Sequence, residues 1–526
     1  MHIVRRTLLS LTALTALILV GGAGVISDSA GAATTNPQLP QATSAITAAQ
    51  WIAGQLTSGG TIDDVTPGTP DLSATANAVL TLAATGVDPS GAQAALAYLE
   101  ANSAAYILAD GSDGPGPLAN LILVAEAMGV DPTSFGGTNL VSRLEATEQT
   151  SGPDAGLFGT ETQLGVYDAG TFDQGLALAA LHAAGVTADS NAVTWLVQQQ
   201  CPDGGWALPD VATNTCTEDP STFAGPDTNS TSMAIQGLVA QGASTTPIAN
   251  SALTFLQGAQ NSDAGWGVQP TNSTDPDSTA LVIQALLALG QSPTSATYTM
   301  SGQTPVTTLL SFQITTGADA GGFSFPGEGT ATTGDVLATN QVAPVAAGLI
   351  IPFATPTAPV PTVTSVTPNT GTVAGGTSVN IVGTNFTTAG LVDFGTIKGA
   401  TFTVQSSTLI VATSPAATAA GPLDVTVVTL GGTSSTSSTN TFSYTAATTA
   451  TTTTLAVAKT GTTGTSGTTP ALAVTGVNLT PLLLGSGTLI GVGSLMLLSA
   501  RRLRRSRARL QHAHVGTWAA GPSRDS

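Results

Sequence analysis

Apolar stretches of helical length recur along residues 42–350, and they come in pairs with a constant layout. The segments Trp195–Gly242 and Phe255–Gly290 each contain a helical stretch ending in glutamine, a glycine–aromatic turn, a polar loop and a second apolar stretch that ends at glycine. Similar second stretches end at Gly86, Gly129, Gly185 and Gly348. A repeat of this length is typical of helical hairpins stacked side by side, because a single hairpin cannot bury its apolar face. The pattern predicts six hairpins, or twelve helices, in residues 42–350.

The two helices of each hairpin differ in polarity. The second helix is apolar on nearly every side, as in ALVIQALLALG, where Gln284 is the one polar residue. The first helices carry Glu, Gln and Arg on one side. A helix without a polar face must be enclosed, so we expect apolar helices inside and amphipathic helices outside, in two concentric rings. An open solenoid is the alternative, but six hairpins suffice to close a ring and no segment resembles a polar capping repeat.

The pattern changes after Ala354. Residues 351–361 form a proline-rich linker, and residues 362–445 contain short alternating strands such as TSVNIVG and LDVTVVT, separated by Gly and Pro turns. Such spacing predicts a small antiparallel sandwich of the immunoglobulin type. Residues 446–470 are Thr, Gly, Ser and Ala with few large apolar side chains. They are too poor in apolar residues to fold, so we expect an extended, disordered stalk.

Both ends of the chain carry targeting patterns. Residues 1–32 contain Arg5, Arg6, an apolar run and small residues before Ala32, which together predict a signal peptide. The alternative, a membrane-spanning helix, needs a longer apolar run. Near the other end, the apolar segment 479–500 is followed by six arginines up to residue 509, which predicts a transmembrane helix with its basic side inside. The chain is therefore expected to be exported.

Charge and ligand-forming residues restrict the classes of partner. The formal net charge is −19, and between residues 33 and 475 the only basic side chains are Arg143, Lys398 and Lys459. So acidic a surface repels phosphate backbones, which argues against nucleic acid as a partner. The exported part holds one histidine, His182, so we expect no metal site and no cofactor. Cys201 and Cys216, the only cysteines, are expected to form a disulfide in an exported chain.

One repeat has a family resemblance. WLVQQQCPDGGW resembles the aromatic-Leu-x3-Gln-x3-Gly-x-Trp repeat of terpenoid cyclases and protein prenyltransferases, and FLQGAQNSDAGW differs from it by Ala264 in place of Gly. The resemblance implies an α/α toroid of the squalene-cyclase type for residues 42–350. It also implies that glutamine and tryptophan side chains of the repeat tie neighbouring hairpins together, here Gln200, Trp206, Gln260 and Trp266.

Two sets of acids are candidates for catalysis. Class II cyclases of this family protonate an alkene with an Asp-x-Asp-Asp motif, which Asp275-Pro-Asp277-Ser278 resembles except for its last residue. The alternative is helix capping, which is favoured because Asp227 occupies the equivalent place in another repeat. For an extracellular sugar-cleaving enzyme, paired carboxylates would be needed, and the candidates are the loop acids Asp110, Asp113, Asp168 and Asp173.

A ring of apolar helices leaves a central cavity or funnel where a ligand can bind. Gln236 and Gln284, each six residues before the closing glycine, are candidates to face it, with Trp206 and Trp266 as further candidates. The alternative is that each glutamine hydrogen-bonds a neighbouring helix. In the α/α toroid family that this chain resembles, the cobalamin carriers bind cobalamin at one mouth of the ring, with a second, β domain also contributing.

The C-terminal half has two further resemblances. Residues 362–445 resemble an IPT/TIG domain, which in exported bacterial proteins implies a spacer or adhesive role. Residues 472–509 resemble a Gram-positive cell-wall sorting signal, with the pentapeptide Leu472, Ala473, Val474, Thr475 and Gly476. The resemblance implies that a sortase cuts after Thr475 and joins it to peptidoglycan, while Ala473 is typical of the variant read by class E sortases. A plain membrane anchor is the alternative.

These expectations combine into a multidomain protein of the cell wall or cell surface of a Gram-positive bacterium. It contains an all-α toroid and an all-β immunoglobulin-like domain, followed by a stalk and an anchor. We expect the toroid to bind a small molecule, glycan or protein without catalysis. The alternatives are an extracellular enzyme, either polysaccharide-degrading or a degenerate terpene cyclase, and an architectural protein of the envelope.

Overall fold

The computed structural model describes residues 39–64, 66–109, 112–159, 170–207, 216–217, 225–326, 331–352 and 358–446. The expected signal peptide, stalk, sorting pentapeptide and apolar segment 479–500 lie outside these residues, as do Asp110 and Asp168. Within the described ranges, no helix combines the length and the hydropathy needed to span a membrane.

Twelve α-helices lie between residues 42 and 346 of the described chain, and they alternate between an outer and an inner layer. The outer helices are α1 (Ala42–Ala53), α3 (Pro89–Tyr106), α5 (Leu140–Ala146), α7 (Ser190–Gln198), α9 (Thr246–Gly258) and α11 (Pro305–Ser311). The inner helices are α2 (Leu72–Thr85), α4 (Pro115–Met128), α6 (Thr171–Ala183), α8 (Thr228–Ala240), α10 (Pro276–Ala288) and α12 (Val336–Ala346). The six predicted hairpins are all present.

The inner helices form a closed ring. Each packs against the next in chain order, and α12 packs back against α2. The first eleven residues of α10 are all buried, whereas α9 of the outer layer buries only Ala252, Phe255 and Leu256. This difference follows the polarity of the two sequences, since only an enclosed helix can be apolar on every side. The predicted double ring is confirmed, and the open solenoid is excluded.

Repeated caps define both ends of the inner helices. Gly86 and Gly129 follow α2 and α4 with φ of 66° and 68°, a left-handed conformation that glycine adopts without steric cost. At the other end, Asp71, Asp227, Asp275 and Asp335 are the N-cap residues of α2, α8, α10 and α12. Each carboxylate accepts a hydrogen bond from a backbone N–H of the first turn, which satisfies a donor that the helix itself leaves unpaired.

The glutamine after an outer helix ties adjacent hairpins together, as the resemblance implied. Nε2 of Gln200 donates to the carbonyl of Gly204 at 2.9 Å and to that of Ile248, in the next outer helix, at 3.1 Å. Gln260 repeats the arrangement one hairpin later, donating to Tyr298 at 2.9 Å. Gln313, in the last hairpin, donates to the carbonyl of Ser44 in α1 at 2.9 Å. The same device therefore links the last hairpin to the first.

Short two-residue ribbons precede three inner helices. Strand β1 (Ile62–Asp63) pairs with β2 (Pro70–Asp71), β3 (Leu108–Ala109) with β4 (Ser112–Asp113), and β5 (Trp206–Ala207) with β6 (Pro226–Asp227), all antiparallel. Each ribbon leads the chain from an outer helix back to the start of an inner one.

A β-sandwich follows the ring. Its strands are β7 (Thr362–Thr367), β8 (Thr370–Thr372), β9 (Ser378–Thr384), β10 (Ala389–Phe394), β11 (Phe402–Ser406), β12 (Leu409–Thr413), β13 (Gly421–Thr429), β14 (Gly432–Thr433) and β15 (Thr441–Thr445). One sheet has the order β10-β13-β15-β8, with β14 paired to β13, and the other has the order β11-β12-β9-β7. The strands predicted from TSVNIVG and LDVTVVT are present as β9 and β13.

The sandwich packs directly on the ring. Leu391 of β10 and Val428 of β13 share an apolar cluster with Ile46 of α1 and Leu82 of α2. All six residues of β10 are buried, although it is the edge strand of its sheet, because α1 covers it. Gly390 leaves the room for this contact: a Cβ there would lie 2.6 Å from Cδ1 of Ile46.

Candidate functional site

A cavity of about 370 Å³ lies at the centre of the inner ring. All six inner helices contribute to its wall, each through its first nine residues, so the cavity lies toward their N-terminal ends. Its apolar lining consists of Leu80, Pro117, Leu123, Phe172, Leu176, Met233, Leu281 and Ile351. Its polar lining consists of Ser73, Asn77, Tyr106, Asn120, Asp173, Gln284, Asn340 and Gln341. An apolar pocket of this size with a few polar groups is typical of a small-molecule site.

A hydrogen-bonded chain of three side chains forms one polar part of the wall. Nδ2 of Asn120 in α4 donates to the hydroxyl of Tyr106 at 2.9 Å and to Oδ1 of Asn77 in α2 at 3.3 Å. Burial raises the pKa of the Tyr106 phenol above its ordinary value, so the hydroxyl is protonated at neutral pH. This part of the wall is therefore polar but uncharged.

Two amide side chains of α12 form a second polar part of the wall. Oδ1 of Asn340 accepts a hydrogen bond from Oγ1 of Thr81 at 2.8 Å. Nδ2 of Asn340, a donor, has no hydrogen-bond partner among the described residues, although the side chain is only 5% exposed. Oε1 of the adjacent Gln341, an acceptor, is buried and likewise unpaired within the described chain. Leaving a buried polar atom unpaired costs about 1–3 kcal/mol, so each such atom needs an explanation.

Asp173 brings a carboxylate to the cavity from the first turn of α6. Gly116 of α4 makes room for it, because a methyl group at that position would overlap the carboxylate. The described residues that line the cavity include no lysine, arginine or histidine. The described lining residues thus include one acidic side chain and no basic one.

The segment after α12 closes one side of the cavity. Oε1 of Gln236 accepts a hydrogen bond from the backbone N–H of Ile351 at 3.1 Å, and Nε2 of Gln284 donates to the carbonyl of Leu349 at 3.5 Å. Ile351 itself lines the cavity. Of the two glutamines that the sequence suggested for ligand binding, Gln284 lines the cavity and Gln236 holds the segment that closes it.

The two repeat tryptophans lie away from the cavity. Trp206 and Trp266 are fully buried between the layers, and their Nε1 atoms donate to the carbonyls of Leu196 at 2.8 Å and Leu256 at 2.7 Å. Neither residue lines the cavity. Their place in the fold is the structural one that the repeat resemblance implied.

The cyclase-like acids serve as a helix cap. Asp275 accepts hydrogen bonds from the backbone N–H of Ser278 at 2.7 Å and from its hydroxyl at 2.9 Å. Burial raises the pKa of the Asp275 carboxyl to about 6. Asp277 lies buried in the first turn of the same helix. Neither carboxylate is among the residues that line the cavity.

Two of the loop acids considered for sugar cleavage, Asp113 and Asp173, belong to the described residues, and one of these two lines the cavity. Asp113 pairs with Arg143, whose Nε donates to Oδ2 at 2.7 Å. Asp173 lines the cavity, and no second carboxylate is found among the described lining residues. Among the described residues, the paired carboxylates of glycosidases are therefore not assembled there.

Sequence reasoning missed the polar residues of the inner helices that face the cavity, namely Asn77, Asn120, Asn340 and Gln341. A signal for them exists in the sequence. Each is an amide within an otherwise apolar stretch, as in TANAVLTL, LANLIL and ATNQVA. An amide in a helix enclosed on every side must find a partner or face a polar cavity.

The structure contains the expected disulfide between Cys201 and Cys216. Across the part of the chain with described coordinates, no group of His, Cys, Asp and Glu side chains is arranged to hold a metal ion.

Comparison with known families agrees with both domains. Residues 126–291 match the squalene-hopene cyclase C-terminal domain, and residues 361–444 match the IPT/TIG domain. The chain joins a squalene-hopene-cyclase-type helical ring to an IPT/TIG domain.

Solved structures similar to the ring include a terpene cyclase. The type II terpene cyclase MstE from Scytonema is 15% identical, with 59% of this chain and 99% of that chain covered at a TM-score of 0.41. A protein from Actinoplanes is 16% identical over the same shares, also with a TM-score of 0.41. No curated protein sequence matches the chain.

Proposed function

We propose that the ring of this cyclase-type protein is a ligand-binding head that holds a small molecule in its central cavity and does not convert it. The observation that carries the proposal is the cavity itself, which has a volume of about 370 Å³ and a mainly apolar wall with a few polar side chains, to which all six inner helices contribute. A largely apolar small molecule with a few polar groups would match such a wall.

The placement of the acids argues against the cyclase reaction. Protonating an alkene needs a carboxylic acid that faces the substrate and is kept protonated by its neighbours. Although burial raises the pKa of the Asp275 carboxyl to about 6, this side chain does not line the cavity and accepts two hydrogen bonds from Ser278 as a helix cap. Asp227 caps α8 in the same way, by accepting from Ser230. The motif is thus one member of a repeated capping scheme.

We further propose that the head is displayed outside a Gram-positive cell. Residues 1–32 would direct export, and residues 479–500 would hold the chain in the membrane before a sortase joins Thr475 to peptidoglycan. The IPT/TIG domain and the stalk would act as spacers. The disulfide between Cys201 and Cys216 supports an oxidising compartment, where such bonds persist.

Native mass spectrometry of the protein purified from its source cells tests ligand binding. We expect a retained small molecule on the wild-type protein. Leu176→Trp should abolish retention, because Leu176 lines the cavity and indole bulk would fill it. Thr254→Trp is the matched control, since it adds a larger aromatic group at an exposed position of outer helix α9. Equal retention by Leu176→Trp and wild type would place the ligand elsewhere and refute the proposal.

A further inference from the structure

We infer that the cavity selects a neutral molecule with two faces, one that carries hydroxyl or amide groups and one that is hydrocarbon. This inference rests on the proposed function, because it names the ligand class of the same cavity. It follows from the order of polar and apolar side chains around the inner ring.

Every inner helix places its sixth residue in the wall of the cavity, so these six residues form one layer around it. On α12, α2 and α4, which are consecutive in the ring, the sixth residue is an amide. On α6, α8 and α10, which complete the ring, it is apolar. In ring order from α12, the layer consists of Gln341, Asn77, Asn120, Leu176, Met233 and Leu281. At this level the cavity is therefore polar on one side and apolar on the other.

The amide side has hydrogen-bonding atoms left for a ligand. Asn77 and Asn120 are both partly exposed, and neither has a buried side-chain atom that lacks a partner. Nδ2 of Asn120 uses its two N–H groups on the Tyr106 hydroxyl and on Oδ1 of Asn77. Within the described chain, Oδ1 of Asn120 and Nδ2 of Asn77 have no hydrogen-bond partner. An acceptor and a donor thus lie side by side, and a hydroxyl or an amide of a ligand complements both.

The opposite side offers hydrocarbon at the same level. Leu281 stands across the ring from Asn120, because α10 is three positions from α4 in either direction. A polar group of the ligand that pointed toward Leu176, Met233 or Leu281 would lose its water without gaining a hydrogen bond, which is unfavourable. Hydrocarbon on that side of the ligand would instead bury apolar surface.

Two polar lining residues on the helices of the apolar side lie at other levels. Nε2 of Gln284, the ninth residue of α10, donates to the carbonyl of Leu349. Asp173, the third residue of α6, has an interaction of its own within the protein. Both are therefore engaged, and neither changes the division of the sixth-residue layer into two sides.

The same layer favours a neutral ligand. None of its six side chains is charged, and the described residues of the whole wall include no lysine, arginine or histidine. An ion buried at this layer would lose its hydration without an oppositely charged partner beside it. That loss costs more free energy than burial of a neutral group that can form hydrogen bonds.

Two cyclooctanediols of identical composition test the arrangement of the polar groups. In cis-1,2-cyclooctanediol both hydroxyls lie on one edge of the carbocycle, whereas in cis-1,5-cyclooctanediol they lie on opposite edges. Binding to the purified full chain is measured by isothermal titration calorimetry. We expect the 1,2-isomer to bind about tenfold more tightly, because both of its hydroxyls can face the amides while one hydroxyl of the 1,5-isomer meets the apolar side.

A second pair of probes tests the preference for a neutral group. Cyclooctanecarboxamide and cyclooctanecarboxylate have nearly the same shape and differ in charge. We expect the amide to bind at least about tenfold more tightly, because the carboxylate would be buried without a basic partner.

Two exchanges of similar size move the polar side. Asn120→Leu should remove most of the preference for the 1,2-isomer. Leu281→Asn, the reciprocal exchange across the ring, should raise the affinity for the 1,5-isomer about tenfold, since its second hydroxyl then finds a partner. Asn250→Leu is the matched control: Asn250 is exposed on outer helix α9, and its exchange should change neither affinity. Unchanged melting curves show that the variants fold.

The outcomes distinguish this inference from the proposed function. Equal affinities for the two diols, tighter binding of the 1,5-isomer or tighter binding of the carboxylate overturns the inference, while binding that is lost in Leu176→Trp still supports the cavity as a binding site. A retained natural molecule that is charged, or that is polar on both faces, also overturns the inference alone. If no probe binds and the purified protein retains no molecule, both proposals fail.

Discussion

Oγ1 of Thr81 in α2 lies 2.8 Å from Oδ1 of Asn340 in α12, across 259 residues of sequence. This hydrogen bond joins the first and last inner helices and so spans the closure of the ring. It also fixes the orientation of the Asn340 amide, a side chain that lines the cavity. Asn340 therefore contributes both to the closure of the ring and to the wall of the candidate site.

Thr81→Val should destabilise the ring by about 1–3 kcal/mol, because it removes the donor and leaves a buried acceptor unpaired. Thr254→Val is the control, since the hydroxyl of Thr254, on outer helix α9, donates only to the carbonyl of Asn250 in its own helix and is exposed. Chemical denaturation measures the free energy of unfolding of each variant. Equal stability of Thr81→Val and the control would show that the hydrogen bond between Thr81 and Asn340 contributes nothing to the free energy of unfolding.

The sandwich should be coupled to the ring through Gly390. A Cβ at this position would lie 2.8 Å from the backbone oxygen of Ala42, so Gly390→Ala forces α1 and β10 apart. We expect a loss of about 1–3 kcal/mol, as for other overpacked contacts, and faster proteolysis between the two domains. Gly258→Ala is the matched control because its added Cβ meets open space. A Gly390→Ala protein with wild-type stability would argue that the domains do not depend on each other.

Stability should fall as the pH rises from about 4 to about 6, because of Asp275. Burial raises the pKa of its carboxyl from 3.8 to about 6 in the folded protein. The folded state then binds the proton more tightly than the unfolded state, so the stabilisation is complete below the unfolded value and is lost through the folded one. A shift of this size corresponds to about 3 kcal/mol.

Asp275→Asn keeps a capping oxygen and removes the titration. The difference in unfolding free energy between wild type and Asp275→Asn, measured at several pH values, isolates this carboxyl from other acids. The unfolding free energy of Asp275→Asn should increase relative to that of the wild type as the pH rises. A difference that stays constant from pH 4 to pH 7 would contradict the assignment.

Thr475→Ala tests the proposed attachment. We expect the wild-type protein in the cell-wall fraction and the variant in the membrane fraction, held by residues 479–500. Val474→Ala serves as the control, because it lies at the variable position of the pentapeptide. A wild-type protein that is extracted with the membrane, like the variant, would favour the plain anchor.

The architecture could be predicted because it follows from local features. Closing glycines such as Gly86 mark helix ends, and enclosure of the apolar helices requires a second layer outside them. Strand β10 shows the limit of that reasoning. Its six residues are buried on both faces because α1 covers an edge strand, a contact between residues more than 300 positions apart.

The site was harder to predict for the same reason. Asp173, Asn340 and Tyr106 belong to three helices that only ring closure brings around one cavity. The sequence shows that amides interrupt the inner helices, but the direction in which each side chain points depends on the rotation of its helix. The spacing of the acids in the cyclase-like motif suggested catalysis. In the structure, Asp275 is instead the N-cap residue of α10.

We propose that the ring binds its small molecule without converting it, and one measurement tests this most directly. The small molecule released from the purified protein is returned to ligand-free protein, and its mass and chromatographic retention are followed over many hours. The account predicts that it rebinds and is recovered unchanged. A new product that forms with wild-type protein but not with Asp277→Asn would contradict it.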